Sequence, residues 1–179
     1  KRVEYAHLMI QKDVWTSRNE NGQKLSEKIY NNGFEIKRTE WSYYENGKKW
    51  FEESSKSGKT DGKQTIWHEN GQKWKEYIYN DGKVVGKSEE WYESGMKYAE
   101  VNYKEGKIDG ALTSWYENGQ KRMERYYKAD KLHGSSIWWN ENGQIKLEQQ
   151  YKNGKIDGKD TLWHDDGQII SESNWKDGE

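Results

Sequence analysis

The chain repeats itself every 24 residues, and no other property of the sequence narrows its fold as far. Trp67, Trp91, Trp115, Trp139 and Trp163 stand 24 apart, and Tyr43 extends the series backward. Four residues after each comes a glycine (Gly47, Gly71, Gly95, Gly119, Gly143, Gly167), and nine after comes a glutamate (Glu52, Glu76, Glu100, Glu124, Glu148, Glu172). Twelve after stands Ser55, Tyr79, Tyr103, Tyr127, Tyr151 or Trp175. An earlier copy, one residue out of step, holds Gly22, Glu27 and Tyr30. A second glycine series runs Gly33, Gly58, Gly82, Gly106, Gly154 and Gly178, with Asp130 in place of its missing member. A third runs Gly62, Gly86, Gly110, Gly134 and Gly158, and the three series account for all 18 glycines. A fixed period of this length is the mark of a repeat architecture, each repeat being one supersecondary unit.

Glycine confined to fixed phases implies a backbone that needs positive φ or close approach there. Asn-Gly recurs at Asn21, Asn46, Asn70, Asn118 and Asn142, and between strand-like runs it predicts a two-residue type I′ hairpin. Each unit then holds about six strand residues before this turn and about eight after it, and the other two glycine series frame a longer connection. Glycines at this spacing would break any helix, at about 1 kcal/mol each relative to alanine. A two-residue loop at Asn70-Gly71 pairs Trp67 with Trp74, Thr65 with Glu76 and Gly62 with Tyr79; in the unit at 115 it pairs Trp115 with Arg122, Thr113 with Glu124 and Gly110 with Tyr127. Strand alternation places the recurring Trp and Glu on one face and the recurring Tyr, opposite a glycine, on the other. The Tyr face also carries Ile66, Ala99, Val101, Leu112, Met123, Leu147 and Leu162, and is expected to be the packed side. The fold class is therefore all-β: an elongated, single-layer antiparallel meander of about seven hairpin repeats. About 14 strands at ~4.8 Å span roughly 65 Å. The repeat domain covers 15–179, with units starting near 15, 43, 67, 91, 115, 139 and 163. Residues 1–14, with Tyr5, Leu8 and Ile10, form a capping segment.

Composition agrees with a layer that has little interior. Leu, Ile, Val and Phe number 24, about 13% of the chain, below the roughly 20% at which disorder becomes a strong prior. A net charge of −1 and 15% aromatics argue against disorder, since a Trp or Tyr buries about 150–250 Å² while its polar tip stays wet. Interspersed charge signs give no footprint for nucleic acid. No apolar run approaches the ~18 residues of a membrane span, no signal peptide is visible, and the absence of cysteine excludes disulfides and thiolate metal sites. The chain opens on Lys1 rather than Met, so upstream sequence is expected to be missing and the compartment, cytoplasmic or exported, is left open.

The segments "WYENGQKRMERYYK" at 115–128 and "WNENGQIKLEQQYKNGKIDG" at 139–158 resemble the MORN repeat, in particular its bacterial variant. The resemblance covers roughly 15–179. Where eukaryotic units close on Gly-x-Gly, these carry a single glycine and a polar strand such as "KQTI" or "ALTS". It implies an extended β-sheet used for binding, with no catalytic residues to carry over, and an antitoxin-like or immunity-like role.

The candidate sites are weighed against this background. The stripe Trp67, Trp91, Trp115, Trp139 and Trp163 either stabilises the sheet by ring stacking or forms a recognition surface, Trp, Tyr and Arg being the residues that dominate interface hot spots. Glutamates of adjacent units would lie about 9.6 Å apart, near the upper edge of the inverting-glycosidase range. Catalysis normally breaks repeat symmetry at one place, however, and no unit carries a unique acid–base pair. No catalytic residue, cofactor or metal is therefore expected. His68 and His164 share one phase, and His133 sits where Asp61, Asp109 and Asp157 stand. Each Asp-Gly loop offers one carboxylate where calcium takes six to eight oxygens. Symmetry is most disturbed where Asp130 replaces glycine and Trp138 adjoins Trp139, which marks Arg122, Trp138, Trp139 and Lys146 as a localised patch. The leading expectation is a non-enzymatic module holding a protein partner against one face. The alternatives are glycan binding or adhesion at a cell surface and, more remotely, association with a membrane surface. The open edge of the last strand also makes a homodimer an expectation.

Overall fold

A computed structural model describes residues 12–179. The capping segment read over 1–14 falls mostly outside the described residues, Tyr5, Leu8 and Ile10 entirely so; its last three residues belong to the first strand. Fifteen strands follow in order: β1 (Lys12–Arg18), β2 (Lys24–Asn31), β3 (Phe34–Tyr43), β4 (Lys49–Lys56), β5 (Lys59–Trp67), β6 (Lys73–Asn80), β7 (Lys83–Val84), β8 (Gly86–Trp91), β9 (Lys97–Lys104), β10 (Lys107–Trp115), β11 (Lys121–Lys128), β12 (Lys131–Trp139), β13 (Ile145–Lys152), β14 (Lys155–Trp163) and β15 (Ile169–Trp175). Fourteen of them form one antiparallel sheet in sequence order, and β7 pairs only with β6. This is the meander that the 24-residue period predicts.

The hairpin turns differ from expectation, and the two glycine series exchange roles. All 18 glycines have positive φ. The positions where two consecutive residues do so belong to the second series, such as Asn153 (φ 53°) with Gly154 (φ 88°). These are the type I′ turns. At the Asn-Gly series only the glycine is left-handed, Gly71 at φ 90°. There the Gly71 N–H donates to the His68 carbonyl and the His68 N–H donates to the Gln72 carbonyl, both at 2.8 Å. This is a three-residue loop, Glu69-Asn70-Gly71, in which a type I turn is closed by a left-handed glycine and a bulge. The bulge moves the register by one at its mouth. Ile66 pairs with Lys75 and Trp67 with Lys73, so Trp67 does not face Trp74, and Trp115 likewise faces Lys121 rather than Arg122. Beyond the bulge the expected pairs Thr65–Glu76, Gly62–Tyr79, Thr113–Glu124 and Gly110–Tyr127 all hold.

Because the second series turns in two residues, the strand before each Asn-Gly loop is nine residues long, as in β5, β10, β12 and β14, rather than six. The third glycine series lies inside these strands. Gln149 pairs with Asp160 and Tyr151 with Ile156, so Gln150 alone faces Asp157, Gly158 and Lys159. Gly158 has φ 122°, and a Cβ there would come within 3.0 Å of the Gln150 Cβ. Conformation and space both demand glycine at this bulge. On its other side Gly158 pairs with Trp175, as Gly134 does with Tyr151 and Gly86 with Tyr103, which lays a ring over bare backbone.

Among the described residues no second layer covers either face, which corrects the expectation that the Tyr face is packed. Among the described residues Ala99 is the one buried hydrophobic, and the other buried residues are small and polar: Thr65, Ser88, Thr113, Ser114, Ser136 and Thr161. Ile66, Val101, Leu112, Met123, Leu147 and Leu162 are half-buried. Order is carried instead by ladders that join each hairpin to the next.

Candidate interaction faces

Three ladders use the recurring residues, and each assigns a role that the sequence alone left open. On the Trp face the rings do not stack on one another. Four of the five lie instead under a lysine of the preceding hairpin: Lys49 Nζ is 5.5 Å from the centre of Trp67, Lys73 5.4 Å from Trp91, Lys97 5.7 Å from Trp115 and Lys121 5.6 Å from Trp139. The same ammonium reaches the glutamate three residues on in its own strand, Lys49–Glu52 at 2.8 Å, Lys73–Glu76 at 2.6 Å, Lys97–Glu100 at 3.1 Å and Lys121–Glu124 at 2.6 Å. Trp and Glu therefore share a face, as alternation predicts, with a cation held between them. A second lysine joins some of these carboxylates, Lys63 to Glu76 at 2.9 Å and Lys87 to Glu100 at 2.7 Å. Burial pushes the Glu76 and Glu100 carboxyls up, but hydrogen bonds from their lysine pairs outweigh it and hold both below the usual carboxylate range.

The edge carrying the Asn-Gly loops is bonded through side chains. Asn70 Oδ1 accepts from the Gln72 N–H at 2.8 Å while its Nδ2 donates to the Glu93 carbonyl of the next unit at 2.6 Å. Tyr44, Tyr92 and Tyr116 donate their hydroxyls to the carbonyls of Trp67, Trp115 and Trp139 at 2.7–2.9 Å. His68 occupies the same phase and its Nε2 donates to the Trp91 carbonyl at 3.0 Å. At the opposite edge Asp61, Asp109 and Asp157 accept from backbone N–H groups twenty residues on, and His133 Nδ1 accepts from Asn153 in the same way. His68, His133 and the Asp-Gly carboxylates are therefore couplers between repeats.

The patch Arg122, Trp138, Trp139 and Lys146 borders one depression of about 280 Å³, floored by Leu147 and Leu162. Arg125 lies 4.8 Å from the Trp138 ring centre and Arg122 5.9 Å from that of Tyr116. A neighbouring hollow of about 270 Å³ shares Arg122 and Trp138 and is lined by Tyr98, Leu112 and Met123. The two form one shallow groove across the Tyr face from β8 to β14. A larger hollow of about 550 Å³ lies at Ser55 and Gly62. There Arg38 faces Ser55 where other units set a glycine against a tyrosine, and the hollow fills the place of the absent ring. It is bordered by Lys37, Lys56 and Lys63 and has no aromatic floor, so its size does not make it the better binding surface.

The family described as MORN repeat variant matches four consecutive segments of the chain, 60–81, 84–105, 108–129 and 132–153. The chain is a MORN-repeat protein. Each matched segment runs from one type I′ turn through a three-residue loop to the next type I′ turn, so the MORN unit here is the hairpin closed by the Asn-Gly loop. No curated protein matches the chain. MORN repeats of this kind make it a repeat-based binding or interaction module.

Proposed function

We propose that the chain is a non-enzymatic module that holds a protein partner in the groove of its Tyr face, in the manner of a neutralising or immunity protein. The observation that supports this is the groove itself. It lies where the repeat symmetry is broken, its floor is apolar, and it is lined by Trp138, Tyr116 and Arg122, the residue types that concentrate binding energy, Trp138 and Arg122 being shared by both hollows. Glu52, Glu76, Glu100, Glu124 and Glu172 are paired with lysines, and His68 and His133 bond to backbone groups of the next repeat, which supports binding over catalysis. From β8 to β14 the groove runs about 30 Å, long enough for an extended segment or a helix of a partner.

The test is a complex of defined stoichiometry isolated from the source cell and measured by light scattering. Arg122→Glu and Trp138→Ala should each weaken it about tenfold or more, while Lys37→Glu, at the Ser55 hollow, leaves it unchanged. Circular dichroism controls for folding. A complex indifferent to both groove variants, or binding to glycans in place of a protein, overturns the reading.

A further inference from the structure

The lysine–tryptophan–glutamate ladder breaks at one unit. The regular copies place a lysine eighteen residues before the tryptophan and three before the glutamate: Lys49, Lys73, Lys97 and Lys121. In the next copy that position is Ile145, with Glu148 and Trp163 both kept. The second lysine of the ladder, Lys63 or Lys87 in earlier units, is here Ser135. Glu148 has lost both cations that its phase uses, and no ion pair or hydrogen bond to its carboxylate exists among the described residues. Trp163 is half-buried like its counterparts, and no cation of the described residues lies over it. Its cross-strand partner is Ile169, in the phase where Trp67 and Trp115 face Lys73 and Lys121. Ile145 and Ile169 are 36% and 55% exposed.

We infer that Trp163 and Glu148 form a subsite for an ammonium group supplied from outside the chain, a lysine side chain of the partner protein. Four copies in the same molecule show what this arrangement of ring and carboxylate takes: an ammonium about 5.5 Å from the ring centre and in contact with the carboxylate. Keeping the two receiving groups while replacing the donor leaves a carboxylate without its cation beside an aromatic face, and an incoming ammonium gains from both. Ile145 and Ile169 offer apolar surface for the four-carbon stem of the incoming lysine. The subsite lies on the Trp face and the groove on the Tyr face, and its identity as a partner contact rests on the interaction-module reading. The test below does not need the partner, so the two can fail separately.

The probe is Nα-acetyl-lysine N-methylamide, titrated into the full chain while the indole N–H resonances are followed by NMR. The Trp163 resonance is expected to shift saturably and that of Trp91, already under Lys73, to stay in place. Ile145→Lys should abolish the shift by supplying the ammonium in cis, Glu148→Gln should weaken binding about tenfold, and the norleucine analogue should give none. A Trp163 resonance that does not move, or a shift that survives Ile145→Lys with the remaining indole signals unchanged, overturns the proposal.

Discussion

Alanine is a poor occupant of the left-handed region, yet Ala129 sits at φ 48° and is followed by Asp130 at φ 68°. Six sister turns put glycine second, whereas this one has no glycine at all. Asp130 is held by a compensating bond, its carboxylate accepting from the Ile108 N–H at 2.7 Å. Ala129 has no such bond from its side chain. Ala129→Gly should therefore stabilise the chain by about 1 kcal/mol, read as a higher urea midpoint, and Asp130→Ala should lower it. Titration gives a second check at this scale. The lowered carboxyls of Glu76 and Glu100 contribute stability that is complete above the unfolded value near ~4.3 and is lost as pH falls below it through the folded value. Tyr77 behaves in the opposite sense. Burial, with Glu90 beside it, pushes its phenol up to about 12, so its contribution is intact below the unfolded value near ~10 and is lost as pH rises from there through the folded value. Phenolate absorbance should show Tyr77 ionising after the exposed tyrosines.

At the scale of the hairpin, the presence of two strands per unit and the faces of their side chains were legible in the sequence, whereas strand lengths and turns were not. Period and alternation suffice to place Trp with Glu, and to oppose Tyr79 with Gly62, because both follow from local geometry. Asn-Gly is compatible with two kinds of loop. The choice is made by bonds the sequence does not display: Asn70 spans its own loop to Gln72 and reaches Glu93 in the next hairpin, a non-local contact available without a left-handed asparagine. The same applies to the sites. Ile145 at a lysine phase is visible by eye, but its meaning depends on Lys73 lying under Glu76 and over Trp91 at once, which requires the stagger of successive hairpins. Asn70→Ala should cost about 1–2 kcal/mol through these two bonds. Hydrogen exchange should speed up at the loops of both the β5–β6 and β8–β9 hairpins.

Across the described residues, every strand of the main path is ladder-bonded along it only to the strands on either side, so stability approximates a sum over units and interfaces. Removing residues 91–114, one full period, should leave a folded sheet two strands narrower. Small-angle scattering should record a shortening of about 10 Å, and circular dichroism an unchanged strand signature. Removing twelve residues instead would bring unlike turns together and should unfold the neighbouring units.

The staples at the two edges also act as a gauge on chain length. A backbone bond such as Gly82 N–H to the Thr60 carbonyl, and a side-chain bond such as Asn70 to Glu93, each demand a particular count of intervening residues. The first copy, one residue out of step, shows what a miscount does: Lys24 lies over Trp41, not over Tyr43 at the regular phase. Growth or loss by whole periods preserves every staple, whereas a single insertion leaves one cation displaced from its ring. Such an array can lengthen by duplication far more readily than it can drift.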